Sequence, residues 1–304
     1  MQKAEIVVPA SSANLGPGFD CLGLSLSLYH RLMVTESPGE GFEVRASGEG
    51  AGRVPLDGRN WVCRAMDRVF AESGYSPGRL VVECACEIPL ARGLGSSAAA
   101  LLAGTAAAML LAGESLDRDR LLQRGVVAEG HPDNVAPCVL GGFTVAVTDH
   151  DAVHCLRLEP PAGLRAVVAI PDFSLPTSRA RAVLPARVEL SDAAGNAARV
   201  GLLTAAIATG RLDLLAPAMV DVLHEPYRRE LVPGLEEVRA AALAGGALGA
   251  ALSGAGPAVL ALVTGDGKAV GRAMEEAWQR QGVRARAVTL EIDRQGLQGR
   301  IEHD

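Results

Sequence analysis

The amino-acid sequence predicts an α+β fold in two halves that divide near Pro160. Apolar residues alternate, or run continuously over short stretches, in strand-like segments that are separated by helix-like segments along the 304 residues. The stretch "EPPAG" at residues 159–163 ends a pair of strand-like segments, and the pattern after it is richer in helices. We therefore expect an N-terminal domain over residues 1–160 and a C-terminal domain over residues 161–304.

The first half opens with a predicted strand at residues 6–8, which Pro9 ends. Alternation in "GLSLSLYHRLMVTES" and the stretches "GFEVRASGEG" and "LVVECACEI" predict three further strands. Before the last of them, "NWVCRAMDRVFAESGY" has apolar residues at helical spacing. Asn60 is suited to the N-cap of this helix and Gly74 to its C-terminal stop.

The chain continues with helices predicted from about Ser97 and over residues 117–128, followed by a hairpin in "GGFTVAVTD" and "AVHCLRLEP". In the second half, "RAVVAIPD" indicates a strand, and "SDAAGNAARVGLLTAAIATG", "LDLLAPAMV" and "PGLEEVRAAALAGG" indicate helices. Two more strands flank the loop in "ALGAALSGAGPAVLALVTG". A last helix in "KAVGRAMEEAWQRQG" precedes a last strand in "RARAVTLEI".

The charge of the chain favours a small soluble ligand over a polymer. The formal net charge is -6 at pH 7, and no block of lysines or arginines occurs. Nucleic acid and anionic membrane surfaces are therefore not expected as main partners. The uncharged run at residues 96–113 is rich in alanine, glycine and serine, so we expect a buried helix and not a membrane span.

The cysteines and the N-terminal stretch favour a cytoplasmic protein. The 6 cysteines are scattered along the chain, and Cys84 and Cys86 are too close for the usual zinc spacing. We therefore expect unreactive thiols in a reducing compartment. The stretch "MQKAEIVVPASSAN" lacks the basic region and the long apolar run of a secretory signal.

The stretch "EIPLARGLGSSAAALLAG" at residues 87–104 joins a predicted strand to a predicted helix through a glycine-rich loop. Backbone N–H groups in such a loop and the positive end of the helix dipole bind phosphate oxygens. Gly93 and Gly95 would let the anion approach, because a Cβ atom would hold it away. The hydroxyls of Ser96 and Ser97 could reach a phosphate or its Mg²⁺.

Two other interpretations of this loop stay open at this point. Gly93, Gly95 and Ala98 match the G-x-G-x-x-A pattern of dinucleotide-binding folds, and Glu114 lies at the distance of their acidic residue. The stretch around Glu114, however, is typical of a turn between helices. The glycines could also serve only for close packing of the helix on a strand. The Walker pattern G-x-x-x-x-G-K-[ST] does not occur in the chain.

Three stretches in order resemble the motifs of the GHMP small-molecule kinases, which include galactokinase, homoserine kinase and mevalonate kinase. They are motif one, "VPASSANLGPGFDCLGLSL" (residues 8–26), motif two, "PLARGLGSSAAA" (89–100), and motif three, "LSGAGPAVLAL" (252–262). The resemblance implies the two-domain GHMP kinase fold, with an N-terminal ribosomal protein S5 domain 2-like domain and a C-terminal ferredoxin-like α/β domain. It also implies ATP as the phosphoryl donor.

Three more stretches are similar to the homoserine kinase family: "EGHPDNVAPCVLGG" (129–142), "PTSRARAVLP" (176–185) and "HEPYRRELVPG" (224–234). The implied reaction converts ATP and L-homoserine to ADP and O-phospho-L-homoserine, a step toward threonine. The resemblance assigns these residues to the amino acid: Asn14, Asp20, His131, Asn134, Arg181, Arg228 and Gly254. Planar guanidinium groups suit its carboxylate and an aspartate suits its ammonium group. Without the family pattern, the same residues would be ordinary turn and surface residues.

The resemblance also assigns the nucleotide site. To ATP it assigns Asn60, Pro89, Leu90, Ala91, Arg92, Gly93, Leu94, Gly95, Ser96 and Ser97. Ser97 and Glu129 would coordinate Mg²⁺, a hard cation that prefers oxygen ligands. Asn60 is expected near the adenine, although its position suits a helix N-cap equally well.

The implied catalytic residues are Ser97, Glu129 and Asn134. Phosphoryl transfer through a loose transition state needs mainly alignment and charge neutralisation. Sugar and mevalonate kinases of the superfamily use an aspartate near the accepting hydroxyl, where this chain has Asn134. We therefore expect direct attack by the substrate hydroxyl, with the direction of the adjacent Asp133 left open.

Two alternative functions share the same fold. The protein could phosphorylate another small alcohol such as mevalonate, or it could be a ligand sensor without turnover. The complete motif two favours a kinase over a sensor, and the two arginines with Asp20 favour an amino acid over mevalonate. Dimers are common among similar proteins, which leaves a homodimer open.

Overall fold

Two β-sheets, each packed against helices, position the three motifs. The computed structural model describes residues 2–150 and 152–303. Its strands are β1 Gln2–Asn14, β2 Gly18–Ser37, β3 Phe42–Gly48, β4 Arg79–Cys86, β5 Phe143–Asp149, β6 Ala152–Leu158, β7 Leu164–Pro171, β8 Gly249–Leu252, β9 Val259–Thr264, β10 Ala285–Glu291 and β11 Gln298–His303. Its α-helices are α1 Trp61–Ser73, α2 Ser96–Leu111, α3 Arg118–Glu129, α4 Pro132–Leu140, α5 Thr177–Ala182, α6 Leu190–Thr209, α7 Leu215–Ala218, α8 Glu225–Arg228, α9 Leu235–Ala244 and α10 Lys268–Arg280. Short 3₁₀ turns lie at Ala51–Arg53, Leu212–Leu214 and Arg229–Leu231.

The first sheet has the order β11-β1-β2-β4-β3, and β5 and β6 extend it from β2. β3 and β4 are parallel, whereas the other neighbours are antiparallel. The predicted hairpin of β5 and β6 is confirmed, with Phe143 opposite Leu158. Helices α2 and α4 pack on β1 and β2, and α1 and α3 pack on α2. This sheet with its helices carries motifs one and two.

Helix α2 is almost entirely buried, as its small apolar residues predict. Gly104 lets α1 approach closely, because a Cβ atom there would lie 2.3 Å from the carbonyl oxygen of Val62. The cap predictions for α1 are also confirmed, since Asn60 Oδ1 accepts a hydrogen bond from the N–H of Val62 and Gly74 has φ +70°. Within the described parts of the chain, no helix has the length and apolar content that crossing a bilayer requires.

The second sheet has the order β10-β7-β9-β8, with all neighbours antiparallel. Helices α9 and α10 pack against it, and the fully buried Trp278 of α10 lies in its core. The chain then returns to the first sheet, where β11 pairs with β1. The α+β class is therefore confirmed. The division at residue 160 stays a prediction, with the last strand of residues 161–304 lying in the first sheet.

The prediction that Pro9 ends the first strand is wrong. β1 continues to Asn14, and its register against β2 shifts between Pro9 and Ala10. A strand tolerates a proline at such an irregularity, where the missing N–H breaks no regular ladder bond. The continued strand carries Ser11 to the start of α2, where its N–H donates to the carbonyl of Leu94 at 3.2 Å.

Candidate active site

The loop between β4 and α2 presents a row of unpaired N–H groups. Each carbonyl from Ala91 to Gly95 accepts a hydrogen bond from the protein. In contrast, among the described residues no N–H from Arg92 to Ser97 donates to a protein acceptor. The backbone has positive φ at Gly93 (+75°) and Gly95 (+70°), and α2 begins directly after them. Free donors at a helix N-terminus form an anion-binding concavity.

Motif two packs directly on motifs one and three. Ser253 Oγ donates to the carbonyl of Gly93 at 2.6 Å, and a Cβ atom at Gly93 would lie 2.0 Å from the carbonyl oxygen of Ser253. A Cβ atom at Gly95 would lie 2.1 Å from Ser11 Oγ. Close packing and a row of unpaired donors therefore occur at the same glycines. The dinucleotide interpretation is wrong, because α2 is followed by α3 and not by a strand that ends at Glu114.

An inner cavity of about 200 Å³ lies against this loop. Residues from both halves of the chain line it, including most of the residues that the sequence singles out. Those lining residues are Asn14, Asp20, Ala91, Arg92, Gly93, Leu94, Gly95, Ser96, Ser97, Glu129, His131, Asn134, Arg181, Arg228 and Gly254. Asp133 lines it as well, so its side chain is part of the cavity and does not point away.

Arg181 and Asp20 form a bidentate ion pair in this cavity. The N–O distances are 2.6 and 3.1 Å, and both side chains are half-buried. The hydrogen bonds and charge of Asp20 raise the pKa of Arg181, although burial opposes this effect. Asn14 supports Asp20, because its Oδ1 accepts the backbone N–H of Asp20 at 3.1 Å. Its Nδ2 donates to the carbonyl of Gly254 at 2.9 Å, which links motif one to motif three.

Arg228 lies deeper in the protein and is 2% exposed. Its guanidinium group donates to the carbonyls of Ala180 and Gly254, both at 3.1 Å, and to Nδ1 of His224 at 3.0 Å. Burial lowers the pKa of Arg228 to about 10, and the nearby charge of Arg181 contributes to this shift. At neutral pH the group is still a cation, so the cavity holds two guanidinium groups.

His131, Asp133 and Asn134 form a connected polar row at the start of α4. His131 Nδ1 lies 2.6 Å from Asp133 Oδ1, and Asn134 Nδ2 donates to the same oxygen at 3.4 Å. Asn134 Oδ1 accepts from Ser11 Oγ at 3.0 Å. Burial disfavours the charged imidazole, but the hydrogen bond and charge of Asp133 outweigh this effect and raise the pKa of His131. His131 therefore tends to be the proton donor in its bond to Asp133.

Ligand atoms of Asp20, His131 and Asp133 lie within 4.8 Å of one another. The carboxylates in this group are already satisfied in part, by Arg181 and by His131. A metal ion beside the guanidinium of Arg181 would meet its positive charge at close range. The same oxygens can accept hydrogen bonds from an ammonium group, which spreads one charge over three donors. This side of the cavity therefore suits an ammonium group better than a metal.

Ser97 and Glu129 also line the inner cavity. Ser97 Oγ donates to Glu129 Oε2 at 3.2 Å, which joins the start of α2 to the end of α3. Burial raises the pKa of the Glu129 carboxyl, while the charge of His131 and the Ser97 hydroxyl oppose the shift. A carboxylate that burial destabilises beside the oxygen of a hydroxyl fits a hard cation such as Mg²⁺, because the cation would restore the lost solvation.

A second, outer cavity of about 320 Å³ adjoins the first and shares Ser96 and Ser97 with it. Asn60 and Leu90 line it, but both polar atoms of the Asn60 amide are occupied, by the N–H of Val62 and the carbonyl of Pro55. His30 also lines this cavity, and neither nitrogen of its imidazole has a partner among the described residues. Burial lowers the pKa of His30 to about 4, so the ring is neutral. The part of the outer cavity that Asn60 and His30 line is thus uncharged.

Pro89 lines neither of these cavities. It lines a third cleft of about 420 Å³ with Leu90 and with the arginines Arg53 and Arg92. Sequence reasoning missed Phe19 and His224, which support the arginines of the inner cavity. The signals for both are visible in hindsight: Phe19 precedes Asp20 in motif one, and His224 lies four residues before Arg228, one helical turn away.

Family models match two parts of the chain. The GHMP kinases N terminal domain matches residues 60–142, and the GHMP kinases C terminal domain matches residues 203–284. Both matched parts contribute to the inner cavity. The first contains motif two and Glu129, and the second contains Arg228 and motif three up to residue 262.

Full-length relatives give the same result. The homoserine kinase of Moorella thermoacetica is 49% identical over 277 residues, which cover 91% of this chain and 93% of that protein. The homoserine kinase of Carboxydothermus hydrogenoformans is 44% identical over 96% of this chain and 95% of that protein. The crystal structure of homoserine kinase from Cytophaga hutchinsonii has a TM-score of 0.88 and 31% identity, covering 98% of this chain and 97% of that one. The chain belongs to the GHMP kinases and, within them, to the homoserine kinase family.

Proposed function

We propose that this protein transfers the γ-phosphoryl group of ATP to the hydroxyl of L-homoserine, which yields O-phospho-L-homoserine and ADP on the route to threonine. One observation carries the proposal: in the inner cavity, the guanidinium groups of Arg181 and Arg228 and the carboxylate of Asp20 lie next to a row of free backbone donors. The guanidinium groups and the carboxylate match the two charges of an amino acid. The free donors match the phosphates of a nucleotide.

The amino acid would bind at the end of the cavity that lies between motif one and α5. Arg181 and Arg228 would hold its carboxylate, and Asp20 would accept from its ammonium group, with Asn14 and Gly254 holding Asp20 and Arg228 in place. The substrate hydroxyl would then lie toward Asn134, which borders the loop of motif two at Gly95. This orientation aims the reacting oxygen at the free donors.

The nucleotide would place its phosphates on the donors from Arg92 to Ser97 and its base in the outer cavity. Backbone donors that are already oriented need no rearrangement as charge moves toward the leaving oxygen. Ser97 and Glu129 are the residues that would hold Mg²⁺. A Mg²⁺ ion supplies charge neutralisation of the phosphate oxygens and helps to align them.

No side-chain base is required by this proposal. Asn134 has no basic atom at neutral pH, and Asp133 already accepts hydrogen bonds from His131 and Asn134. The proton of the substrate hydroxyl would pass to the γ-phosphate or to solvent. We expect Asp133→Asn to lower kcat less than about tenfold, whereas loss of a general base costs about 100-fold or more. Abolished turnover in Asp133→Asn, together with a strong gain in Asn134→Asp, would overturn this assignment.

The direct test is a coupled assay of ADP release with L-homoserine, mevalonate, galactose and shikimate as acceptors. Turnover with L-homoserine alone supports the proposal. Turnover with mevalonate alone would identify a kinase of another alcohol, and ligand binding without ADP release would identify a sensor.

A cytoplasmic location is part of the same proposal. All six cysteines have free thiols, as a reducing compartment would keep them, and burial raises the pKa of Cys138 to about 12. Homodimer formation stays a prediction, which light scattering of the purified protein tests.

A further inference from the structure

The ring of Phe19 lies against both guanidinium groups of the inner cavity. The central carbon of Arg181 is 5.5 Å from the ring centroid, and the central carbon of Arg228 is also 5.5 Å away. Both distances are within the range of cation–π attraction. Phe19 is half-buried and lines the cavity, so solvent screens these contacts only in part.

Two cations in one cavity repel each other as long as no anion is bound. Arg181 donates to Asp20 as a counterion, whereas the hydrogen bonds of Arg228 to the described residues go only to neutral groups, the carbonyls of Ala180 and Gly254 and the ring of His224. An aromatic face attracts both guanidinium groups without offering a negative charge that would compete for them. Phe19 can therefore stabilise the two guanidinium groups without using any of their N–H donors.

The ring of Phe19 also contacts the imidazole of His224. The two rings are stacked, with centroids 5.3 Å apart and planes 30° apart. Arg228 has no acceptor, so Nδ1 of His224 must accept from it, and Nε2 must donate to the carbonyl of Gly16 at 2.8 Å. Both nitrogens are thus used, which fixes the orientation of the imidazole. Phe19, His224 and Arg228 form one packed unit.

We propose that Phe19 is a positioning residue that determines specificity for a carboxylate, because its ring holds Arg181 and Arg228 in the arrangement that binds this group. This inference rests on the proposed function, since it concerns the carboxylate of the same amino acid. Asp20 and Phe19 are neighbours in the chain and contact Arg181 by different means, one through hydrogen bonds and the other through its ring. Among the described residues, Phe19 contacts Arg228 as well, whereas Asp20 forms no hydrogen bond with Arg228.

The test replaces Phe19 by phenylalanines with one, two and three ring fluorines, introduced by stop-codon suppression. Fluorine withdraws electron density from the ring face and weakens cation–π attraction with little change in shape. We expect KM for L-homoserine to rise stepwise, to about tenfold with three fluorines. The values of kcat and of KM for ATP should stay within about twofold, since the phosphate loop is untouched. An unchanged KM across the series would overturn the proposal.

Phe42 provides the matched control. It is also half-buried, and the described residues place no cation over its ring. The same fluorine series at Phe42 should leave every kinetic constant unchanged. A rise of KM for L-homoserine at both positions would show a general effect of fluorine and would also overturn the proposal.

A second pair of variants tests specificity. Phe19→Leu removes the ring face, and Phe19→Tyr keeps it. We expect Phe19→Leu to lose about tenfold in kcat/KM for L-homoserine but little for 3-amino-1-propanol, which lacks the carboxylate, and Phe19→Tyr to retain both values. Equal losses with both acceptors would contradict a role at the carboxylate. Failure of the wild-type protein to phosphorylate L-homoserine would instead refute the proposed function itself, so the two failures are distinguishable.

Discussion

Arg181 donates two hydrogen bonds to the carboxylate of Asp20 across 161 residues of chain. The same two groups are the ones that a bound amino acid would occupy, with its carboxylate on Arg181 and its ammonium group on Asp20. In the structure these two charges pair with each other. A zwitterion can replace both partners at once, whereas a ligand with one charge leaves one partner unpaired.

Asp20→Asn should weaken binding of the zwitterion specifically. The variant keeps the size of the side chain but removes its charge. Because a charge-assisted hydrogen bond is lost, we expect kcat/KM for L-homoserine to fall about 10- to 100-fold, with KM for ATP unchanged. The ratio of kcat/KM for L-homoserine to kcat/KM for 4-hydroxybutanoate, which lacks the ammonium group, should become smaller. Steady-state kinetics with both acceptors measures this.

Asp213→Asn is the control for that substitution. Asp213 forms a bidentate pair with Arg211 at 2.7 and 2.9 Å, but both side chains are exposed. An exposed ion pair contributes little to the free energy of unfolding, so Asp213→Asn should change neither the kinetic constants nor the stability measurably. Unchanged discrimination in Asp20→Asn would contradict the role assigned to its carboxylate.

Glu129→Gln should raise the Mg²⁺ requirement. The substitution removes the charge that would hold the cation but retains an oxygen for the Ser97 hydroxyl. We expect kcat to fall about 100-fold and the half-saturating Mg²⁺ concentration to rise. Activity measured over a Mg²⁺ titration checks this, with Glu114→Gln as the control, because Glu114 pairs with Arg120 and Arg124 outside the site. Equal Mg²⁺ curves for Glu129→Gln and the wild type would argue against this ligand.

Binding of Mg²⁺ by Glu129 should also weaken in acid. Burial raises the pKa of this carboxyl, so it takes up a proton at a higher pH than an exposed glutamate would. We expect the half-saturating Mg²⁺ concentration of the wild type to rise as the pH falls, and this dependence to disappear in Glu129→Gln.

Gly93→Ala should disable the phosphate loop. Gly113→Ala is the control, because it separates the effect of backbone strain from the effect of a clash with the added Cβ atom. Both glycines have nearly the same φ, +75° and +77°, so both variants carry the strain of a left-handed backbone, about 1–2 kcal/mol. Only at Gly93 would the added Cβ meet the backbone, 2.0 Å from the carbonyl oxygen of Ser253, whereas Gly113 faces open space. We expect Gly93→Ala to lose about 100-fold in kcat/KM for ATP and Gly113→Ala to keep it. Thermal unfolding of both variants reports the shared strain. Equal activities would contradict the close packing of motifs two and three.

Glu225 should give the protein a stability that falls as the pH rises. Burial raises the pKa of this carboxyl to about 7, although the charge of Arg239 opposes the shift. The native state then binds more protons than the unfolded state between the unfolded pKa of about 4.3 and the native value. The contribution of Glu225 is full below that window and is lost as the pH rises through about 7. It amounts to about 4 kcal/mol at most.

Urea unfolding of the wild type and of Glu225→Gln from pH 5 to pH 8 measures this contribution. His224 acts in the opposite direction, because burial lowers its pKa to about 4 and its contribution is lost as the pH falls. The charges that shift His224 are those of Asp221, Arg228 and Asp20, which both proteins keep, so its effect cancels in the difference between them. The glutamine keeps an oxygen for the N–H of Leu252, which Glu225 accepts at 2.7 Å. Parallel curves for the two proteins would contradict the raised pKa.

Sequence reasoning went furthest where function depends on local backbone. The glycines of motif two, the start of α2 at Ser96 and the cap of α1 at Asn60 each follow from residue types at adjacent positions. The wrong prediction that the first strand ends at Pro9 also came from local residue type. A proline within a strand is normally a stop signal, and only the irregular pairing of β1 with β2 shows why the strand continues.

The substrate side of the site was harder to predict from the sequence. Arg179 and Arg181 are two residues apart in the stretch "PTSRARAVLP", and residue type alone does not distinguish them. In the structure both belong to the short helix α5, on which residues two apart face different sides: Arg181 lines the cavity and Arg179 is exposed. Phe19 and His224 lie close in the sequence to Asp20 and Arg228, but that spacing does not reveal their roles, which arise from contacts with residues far away in the chain.

The sequence by itself determined the α+β class, the order of the three motifs and the loop that presents free N–H groups to an anion. These features depend on hydrophobic period, caps and glycines, which act over a few residues. Only the tertiary structure decided which charges meet. It brought Asp20 to Arg181, stacked Phe19 on His224 and placed Asp133 in the cavity, since side-chain partners are set by how sheets and helices pack and not by their spacing along the chain.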